Sequence, residues 1–226
     1  MSAPDRAING VWGLMKLALL SVNVSQPKPL AQVDGQIVLS AIGKEPVAAK
    51  DIRVLTETLE GDRVADRTVH GGADKAVYAY PADNWPWWRN EHGLTCRPGA
   101  FGENLTVEGA DESGVRIGDQ FSWGGALLEV SQPRQPCFKF QIHTGRPEAA
   151  ALMTIHARCG WYFRVIREGL APLAGVLERT HASDGPSVRE AFIAAMHRRT
   201  SEEDRKRIAD HPALARSFRA TLLRQA

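Results

Sequence analysis

The chain has 226 residues, of which 43% are hydrophobic, and its 28 basic and 26 acidic side chains give a formal net charge of +2. That length favours one domain with an appendage over two full domains, and the balanced charge disfavours nucleic acid as the main partner. Three cysteines without a C-x-x-C spacing argue against a disulfide framework and against a cysteine-rich zinc site.

Near its N-terminus the sequence contains an apolar run that could imitate an export signal. Residues 14–23 are mostly apolar, but Asp5 and Arg6 precede them and no A-x-A cleavage site follows. Because no run approaches the roughly 20 apolar residues of a membrane helix, we expect a strand here, no membrane partner and a cytoplasmic protein. The first strand pattern begins at Met15, so residues 1–14 are predicted to be an N-terminal extension.

Short β-favouring runs separated by turns rich in Gly, Pro and Asp extend from Met15 to about Arg179. This pattern of short strands and turns is typical of a β-barrel or a β-sandwich. The clearest predicted strands are 17–24, 37–40, 53–59, 77–80 and 126–131. Helices are predicted over 82–91 and from 148 to about 155, and the three tryptophans of the first helix are expected to pack into the core. We therefore predict a mostly β fold with some α-helix over residues 15–179.

Helical patterns dominate after Arg179 and predict a three-helix domain over residues 180–226. Ser187 and Glu190 form the pattern of a capping box, and Ser201 is a second N-cap candidate with acidic residues in the turn that follows. The third helix is indicated by apolar residues that recur every four positions and so share one face, namely Leu214, Phe218 and Leu222.

The densest cluster of chemically useful residues runs from Ser131 to Lys139, at the end of a hydrophobic strand. Its two prolines fix φ on either side of Arg134 and Gln135, so the loop should be stiff and should hold Cys137 in place. If Arg134 and Lys139 also lie close in space, they favour the thiolate, the form that binds a metal or attacks an electrophile. The alternative is a buried and inert cysteine, as we expect for the other two.

A second cluster comprises His70, Gly71, Gly72 and Lys75, directly before a strand. Paired glycines let the backbone approach a ligand and expose its N–H groups to an anion, while His70 and Lys75 add donors. A phosphate or a pterin edge would suit this site, and a plain turn is the alternative. An H-G-G sequence also occurs in oxyanion-hole loops of esterases, but the chain lacks the G-x-S-x-G of their nucleophile.

A third cluster spans residues 99–105. The amide of Asn104 offers donors and an acceptor, which recognition of a heteroaromatic edge requires. Glu103 could equally be a solvated acid in a turn. Further along, residues 117–119 are predicted to close a hairpin before Phe121.

Taken together and in this order, these clusters resemble the MOSC-domain superfamily, and within it the YiiM-like branch. The resemblance runs from Met15 through the helical tail. It rests on LEGDRVADRTVHGGADKAVYAYP at 59–81, FGENLTVEG at 101–109, IGDQF at 117–121 and SQPRQPCFKF at 131–140.

The resemblance implies a β-barrel followed by a small three-helix domain, with a cleft that binds the molybdenum cofactor, a molybdopterin. Cys137 matches the family cysteine that coordinates molybdenum, so it is the expected metal ligand and catalytic residue. Cofactor contacts are expected at positions on the matching motifs, namely His70, Gly71, Gly72, Lys75, Asn104, Ser131, Arg134 and Lys139.

The implied activity is the reduction of N-hydroxylated compounds, such as hydroxylaminopurines and hydroxamic acids, with electrons from a separate flavin or iron–sulfur protein. Two alternatives stay open on the residues alone. Cys137 could carry cofactor or persulfide sulfur without catalysis, or it could be the nucleophile of a hydrolase with His70 as base. The hydrolase is the weaker alternative, because no third group that would orient the base is evident. The oligomeric state is left open.

Overall fold

The computed structural model describes residues 15–66, 71–197 and 199–224, so the predicted extension over residues 1–14 and the predicted contact His70 lie outside the described residues. The described strands are β1 (Lys16–Val24), β2 (Lys28–Val33), β3 (Gln36–Ser40), β4 (Glu45–Pro46), β5 (Asp51–Leu55), β6 (Thr58–Leu59), β7 (Val77–Pro81), β8 (Leu105–Glu108), β9 (Gln120–Trp123), β10 (Ala126–Pro133), β11 (Trp161–Arg167), β12 (Gly169–Pro172) and β13 (Gly175–His181). The described α-helices are α1 (Trp85–His92), α2 (Phe138–Thr144), α3 (Ala149–His156), α4 (Val188–Met196), α5 (Glu202–Ala209) and α6 (Arg216–Leu223).

A barrel forms the centre of the fold. In the described part of the chain, seven strands follow the order β13-β9-β10-β11-β7-β8-β1, and β13 pairs with β1 to close the ring. Neighbouring strands are antiparallel except β7 and β8, which run parallel. A parallel pair needs a crossover connection, and the segment between these two strands contains α1. The predicted mostly β fold with a barrel is confirmed.

Aromatic side chains fill the space between α1 and the barrel. Trp88 is 1% exposed and donates its indole N–H to the hydroxyl of Tyr80 at 2.6 Å. Tyr80 in turn stacks on Phe101, with ring centroids 3.9 Å apart. Trp85 and Trp87 are partly buried and pack against this core. The expectation that the tryptophans of α1 are core residues is confirmed for Trp88, while Trp85 and Trp87 lie at the edge of the core.

Two local predictions were wrong. The predicted strand over 53–59 is a tight hairpin, in which Leu55 of β5 pairs with Thr58 of β6. Residues 117–119 do not close a hairpin, because Arg116 bridges to Ser187 while β9 pairs with β10 and β13. The turn is instead held by the Asp119 carboxylate, which accepts the backbone N–H of Arg116 at 3.0 Å.

Three helices follow the barrel as predicted, and their caps are those that the sequence indicated. The Ser187 hydroxyl accepts the N–H of Glu190, and the Glu190 carboxylate accepts the N–H of Ser187 at 2.7 Å. Ser201 caps α5 in the same way through the N–H of Asp204. Phe218 and Leu222 lie on α6 and are 0% exposed, whereas Leu214, which was predicted to share their helical face, precedes the helix and is 2% exposed. In the described ranges, no helix combines the length and the apolar character needed to cross a bilayer.

Candidate functional site

A cleft of about 770 Å³, partly open to solvent, lies where several loops meet. Its walls come from within the stretches 40–44, 57–65, 75–78, 101–104 and 134–139, together with Tyr162. Five of the residues predicted to bind or act on a cofactor line it, namely Lys75, Asn104, Arg134, Cys137 and Lys139. Gly71, Gly72 and Ser131 are not among the described lining residues.

Cys137 stands at the junction of the barrel with helix α2. Strand β10 ends at Pro133, and the chain then passes through the loop to Cys137, which directly precedes α2 and is partly buried. The other two cysteines, Cys96 and Cys159, are buried away from the cleft, and burial raises the pKa of each, for Cys96 to about 11. Of the three cysteines, all of which lie in described ranges, Cys137 alone lines the cleft.

Arg134 provides the most buried positive charge beside Cys137. Its side chain is 5% exposed and lies over the rings of Phe140 and Tyr78, at 5.0 and 5.8 Å from their centroids. One guanidinium nitrogen lies 3.1 Å from the sulfur of Met153. Within the described residues no carboxylate neutralises this guanidinium. A buried cation without a protein counter-ion is costly unless something else pairs with it, so the position favours an anionic ligand.

The lining of the cleft also includes an ion pair that the sequence did not indicate. The Lys44 ammonium lies 2.5 Å from Asp62 Oδ1, and both residues are 6% exposed. Burial lowers the pKa of Lys44, against the raising effects of Asp62 and Glu103. Asp62 is fixed by two further donors, the N–H of Ser25 to Oδ1 and the amide of Asn104 to Oδ2, both at 2.8 Å.

Asn104 lines the cleft, but its amide is already bonded within the protein. Its Oδ1 accepts the N–H of Tyr78 at 3.1 Å, and its Nδ2 donates to Asn23 O and to Asp62. A direct contact between Asn104 and a ligand remains a prediction, and it would require one of these bonds to be exchanged. What the structure shows is that Asn104 ties the turn before β8 to the wall that contains Asp62.

Glu103 is a buried clamp rather than a solvated acid, so that alternative was wrong. It is 0% exposed and accepts the N–H of Gly99 at 2.8 Å, the N–H of Phe101 at 2.9 Å and the hydroxyl of Thr106 at 2.8 Å. Burial raises the pKa of Glu103 to about 7, although these bonds oppose the rise. The turn lies close against the Lys44 loop, since a Cβ on Gly99 would sit 2.2 Å from the Lys44 carbonyl oxygen.

Comparisons with known proteins identify the family to which this fold belongs. The MOSC domain model matches residues 66–176. YflK of Bacillus subtilis, described as an uncharacterized protein, is 36% identical over 211 residues, which cover 93% of this chain and 95% of YflK. The chain belongs to the MOSC-domain family. Its YiiM-like character is supported by the crystal structure of YiiM from Geobacillus stearothermophilus, which is 33% identical, covers 92% of this chain and 98% of that one, and gives a TM-score of 0.76.

A third relative is similar over a shorter segment. A protein from Gibberella moniliformis named "Reductase" is 40% identical over 104 residues, which represent 44% of this chain but 18% of that protein. The shared segment is therefore a small part of the fungal protein.

The residues matched by the MOSC domain model include only part of the cleft lining. Lys75, Asn104, Arg134 and Cys137 lie inside residues 66–176, whereas the Lys44 loop precedes them. Asp62 falls in a motif that the sequence resemblance already contained, so it could have been noticed there. No sequence pattern singled out Lys44, because its importance comes from a partner 18 residues away.

The other predicted cofactor contacts, Lys75, Lys139 and Ser131, differ in their exposure and in their hydrogen-bond partners. Lys75 is partly buried, and burial lowers its pKa against the opposing charge of Asp74. Lys139 donates to the carbonyl of Leu39 at 3.0 Å. Ser131 is fully buried, with its hydroxyl 2.6 Å from Asp74 O and 3.0 Å from Tyr162 O. Ser131 thus connects β10 to the segment that carries Lys75.

Proposed function

We propose that this MOSC protein binds the molybdenum cofactor in the cleft and reduces N-hydroxylated compounds to the parent amines or amides. Membership of the MOSC family supports a cofactor of this class. The observation that carries the proposal is the pairing, in one cleft, of a partly buried cysteine with the buried cation Arg134, which has no carboxylate partner among the described residues.

The residues of the cleft fit such a group. Its walls combine cationic and aromatic side chains, which small-molecule sites use to orient a ligand. Arg134, Lys75 and Lys139 would hold the anionic phosphate, and Tyr78 and Tyr162 offer flat surfaces to a fused ring. Among the described residues, no three His, Cys, Asp or Glu side chains cluster around a possible metal ion. A single thiolate at Cys137 suits a metal held mainly by its own organic ligand, because thiolate sulfur is the soft donor of proteins.

Each substrate molecule needs two electrons and two protons, since its N–O bond breaks, the nitrogen is left as an amine or amide and the oxygen leaves as water. When bound, the cofactor supplies a metal centre that exchanges these electrons. The protein itself supplies the thiolate, the cations that orient the cofactor and the walls that limit access of water. The electrons must come from another protein, and we expect a flavin or iron–sulfur reductase.

The fungal relative supports that division of labour. Its name, "Reductase", agrees with the proposed reaction class, and most of its length lies outside the shared segment. We expect the protein to work in the cytoplasm, where its three cysteines, which are free in the structure, stay reduced.

The test is the molybdenum and pterin content of protein produced with the cofactor pathway active. Wild type is compared with Cys137→Ala, and Cys96→Ala serves as a matched control that removes a thiol outside the cleft. We expect one molybdenum per chain in wild type and in the control, and loss of the metal in Cys137→Ala with the fold retained by circular dichroism.

Turnover is measured in the same preparations, with a hydroxamic acid as substrate and reduced methyl viologen as electron donor. Reduction by wild type and its loss in Cys137→Ala would agree with the proposal. Metal-loaded wild type that reduces no N-hydroxylated compound would favour a carrier of cofactor or sulfur. Metal-free protein that hydrolyses esters, and loses this activity when Cys137 is alkylated, would favour the hydrolase.

A further inference from the structure

The cleft contains a buried ion pair that the sequence did not assign to cofactor binding. Three lysines line its described walls, and two of them, Lys75 and Lys139, are partly exposed and belong to the set expected to hold phosphate. Lys44 differs, because it is 6% exposed and its ammonium is bonded to the buried carboxylate of Asp62. Such a pair is expensive to bury, so its position on a ligand cleft calls for a functional explanation.

The proposed reaction needs a proton donor in the cleft. When an N–O bond breaks, the oxygen takes up protons as it leaves, and a positioned acid lowers the cost of releasing it. Arg134 cannot supply the proton, because a guanidinium does not deprotonate in proteins. Tyr78 is already engaged, since its hydroxyl donates to the carbonyl of Cys159 at 2.8 Å, and burial raises its pKa well above the ordinary value.

The surroundings of Lys44 keep its ammonium in one position. Asp62 accepts three donors, of which Ser25 N–H and the Asn104 amide belong to the scaffold, so it forms a rigid acceptor for the third. The Lys44 backbone is fixed as well, by the close approach of Gly99 to its carbonyl. An acid that is held in place loses little entropy in the transition state.

From these contacts we propose that Lys44 is the proton donor for N–O cleavage in this cleft, positioned by Asp62; this inference rests on the proposed function. One of the two protons comes from the Lys44 ammonium and the other from solvent, while the electron-donor protein supplies both electrons. Lys44 then recovers its proton from water in the cleft, and the bond to Asp62 is restored.

Electrostatics around Lys44 suit this role. Its pKa lies below the ordinary value of 10.5 because burial disfavours the charged form, while the carboxylates of Asp62 and Glu103 oppose that effect. The other ionisable groups on the described cleft walls are Glu57, Lys75, Arg134, Cys137, Lys139 and the two tyrosines. An ammonium with a lowered pKa is a stronger acid that still carries its proton below that pKa.

The decisive variant is Lys44→Arg, which keeps the charge and the ion pair with Asp62 but cannot give up a proton. We expect its molybdenum content to stay within about twofold of wild type, while reduction of a hydroxamic acid by reduced methyl viologen falls roughly 10²- to 10⁴-fold. Lys44→Met removes the charge too, and Lys50→Met is the matched control at an exposed lysine outside the cleft lining.

A readout independent of turnover is the NMR titration of side-chain Nζ atoms in ¹⁵N-lysine-labelled protein, with the Lys44 and Lys50 signals assigned from the two methionine variants. We expect the Lys44 signal to titrate at a pH below the ordinary lysine value of 10.5. A Lys44 midpoint at or above 10.5 would overturn the inference.

The two proposals fail in different ways. If loaded wild type reduces no N-hydroxylated compound, the proposed function is lost and this inference with it. If wild type is active and loaded Lys44→Arg turns over equally fast, the function stands and Lys44 is not the proton donor. Loss of molybdenum from Lys44→Arg would likewise overturn the inference, since it would make Lys44 a cofactor-binding residue.

Discussion

Replacing Glu103 by Gln should change the pH dependence of folding stability in a calculable way. Burial raises the pKa of Glu103 from 4.5 to about 7, so between these values the folded protein binds more protons than the unfolded chain. Stability then falls as the pH rises through this window and levels off above it. Since one pKa unit corresponds to about 1.36 kcal/mol, the whole change attributable to Glu103 is about 3 kcal/mol.

Glu103→Gln does not titrate in this pH window, but it loses a hydrogen bond at every pH. One oxygen of Glu103 accepts both the N–H of Gly99 and the hydroxyl of Thr106, and the other accepts the N–H of Phe101. A Gln amide has only one acceptor atom, so one backbone N–H loses its partner at a cost of about 1–3 kcal/mol. Glu103→Gln should therefore be clearly less stable than wild type near pH 5, and the difference should shrink or reverse by pH 8.

The assay is urea unfolding of both proteins at several pH values, followed by tryptophan fluorescence. Other titrating groups, such as His143, whose pKa burial lowers, contribute equally to both proteins and cancel in the difference. A difference in unfolding free energy that stays constant from pH 5 to pH 8 would refute the argument, since it would mean that Glu103 does not titrate in this range.

Two further substitutions test the local geometry. Gly99→Ala places a Cβ 2.2 Å from the Lys44 carbonyl at a φ of +78°, so we expect urea unfolding to show a loss of roughly 2–5 kcal/mol in the free energy of unfolding. The control is Gly35→Ala, which has the same φ but nothing within 4 Å and should lose only about 1–2 kcal/mol. Equal losses in the two variants would show that the Cβ added by Gly99→Ala does not clash. Ser187→Ala removes the capping box of α4 and should lower the free energy of unfolding by about 0.5–2 kcal/mol. Ser187→Thr keeps a hydroxyl acceptor and should recover most of that stability. An alanine variant as stable as wild type would contradict the capping role of Ser187.

Features with a local cause could be predicted from the sequence. The capping serines of α4 and α5 act on backbone groups three residues away, so their patterns located both helices. The strands were recognisable because alternation and β-branched residues act over a few positions. The hairpin of β5 and β6 was missed because the turn between Leu55 and Thr58 contains neither Gly nor Pro.

Features that depend on distant partners could not be predicted in this way. Lys44 is an ordinary loop lysine in the sequence, and only the fold buries it beside Asp62. Glu103 lies in a turn whose sequence is compatible with solvent exposure, and only the folded turn buries its carboxylate against the N–H groups of Gly99 and Phe101. Motif resemblance recovered Cys137 and Arg134, which lie in one short loop, but it did not single out Lys44.

The helical tail also helps to fix the loop that carries Cys137. The backbone N–H of Ala215 donates to Ser131 O at 2.9 Å, and the Ser217 hydroxyl donates to the Gln132 side chain at 3.3 Å. Both bonds join the tail to the end of β10, five and six residues before Cys137. Because Ser131, Gln132 and Ala215 are buried, the strand end cannot shift without disturbing the segment that leads into α6. The predicted boundary near residue 180 therefore marks a change from strand-forming to helix-forming sequence. The position of Cys137 depends on the segments on both sides of that boundary.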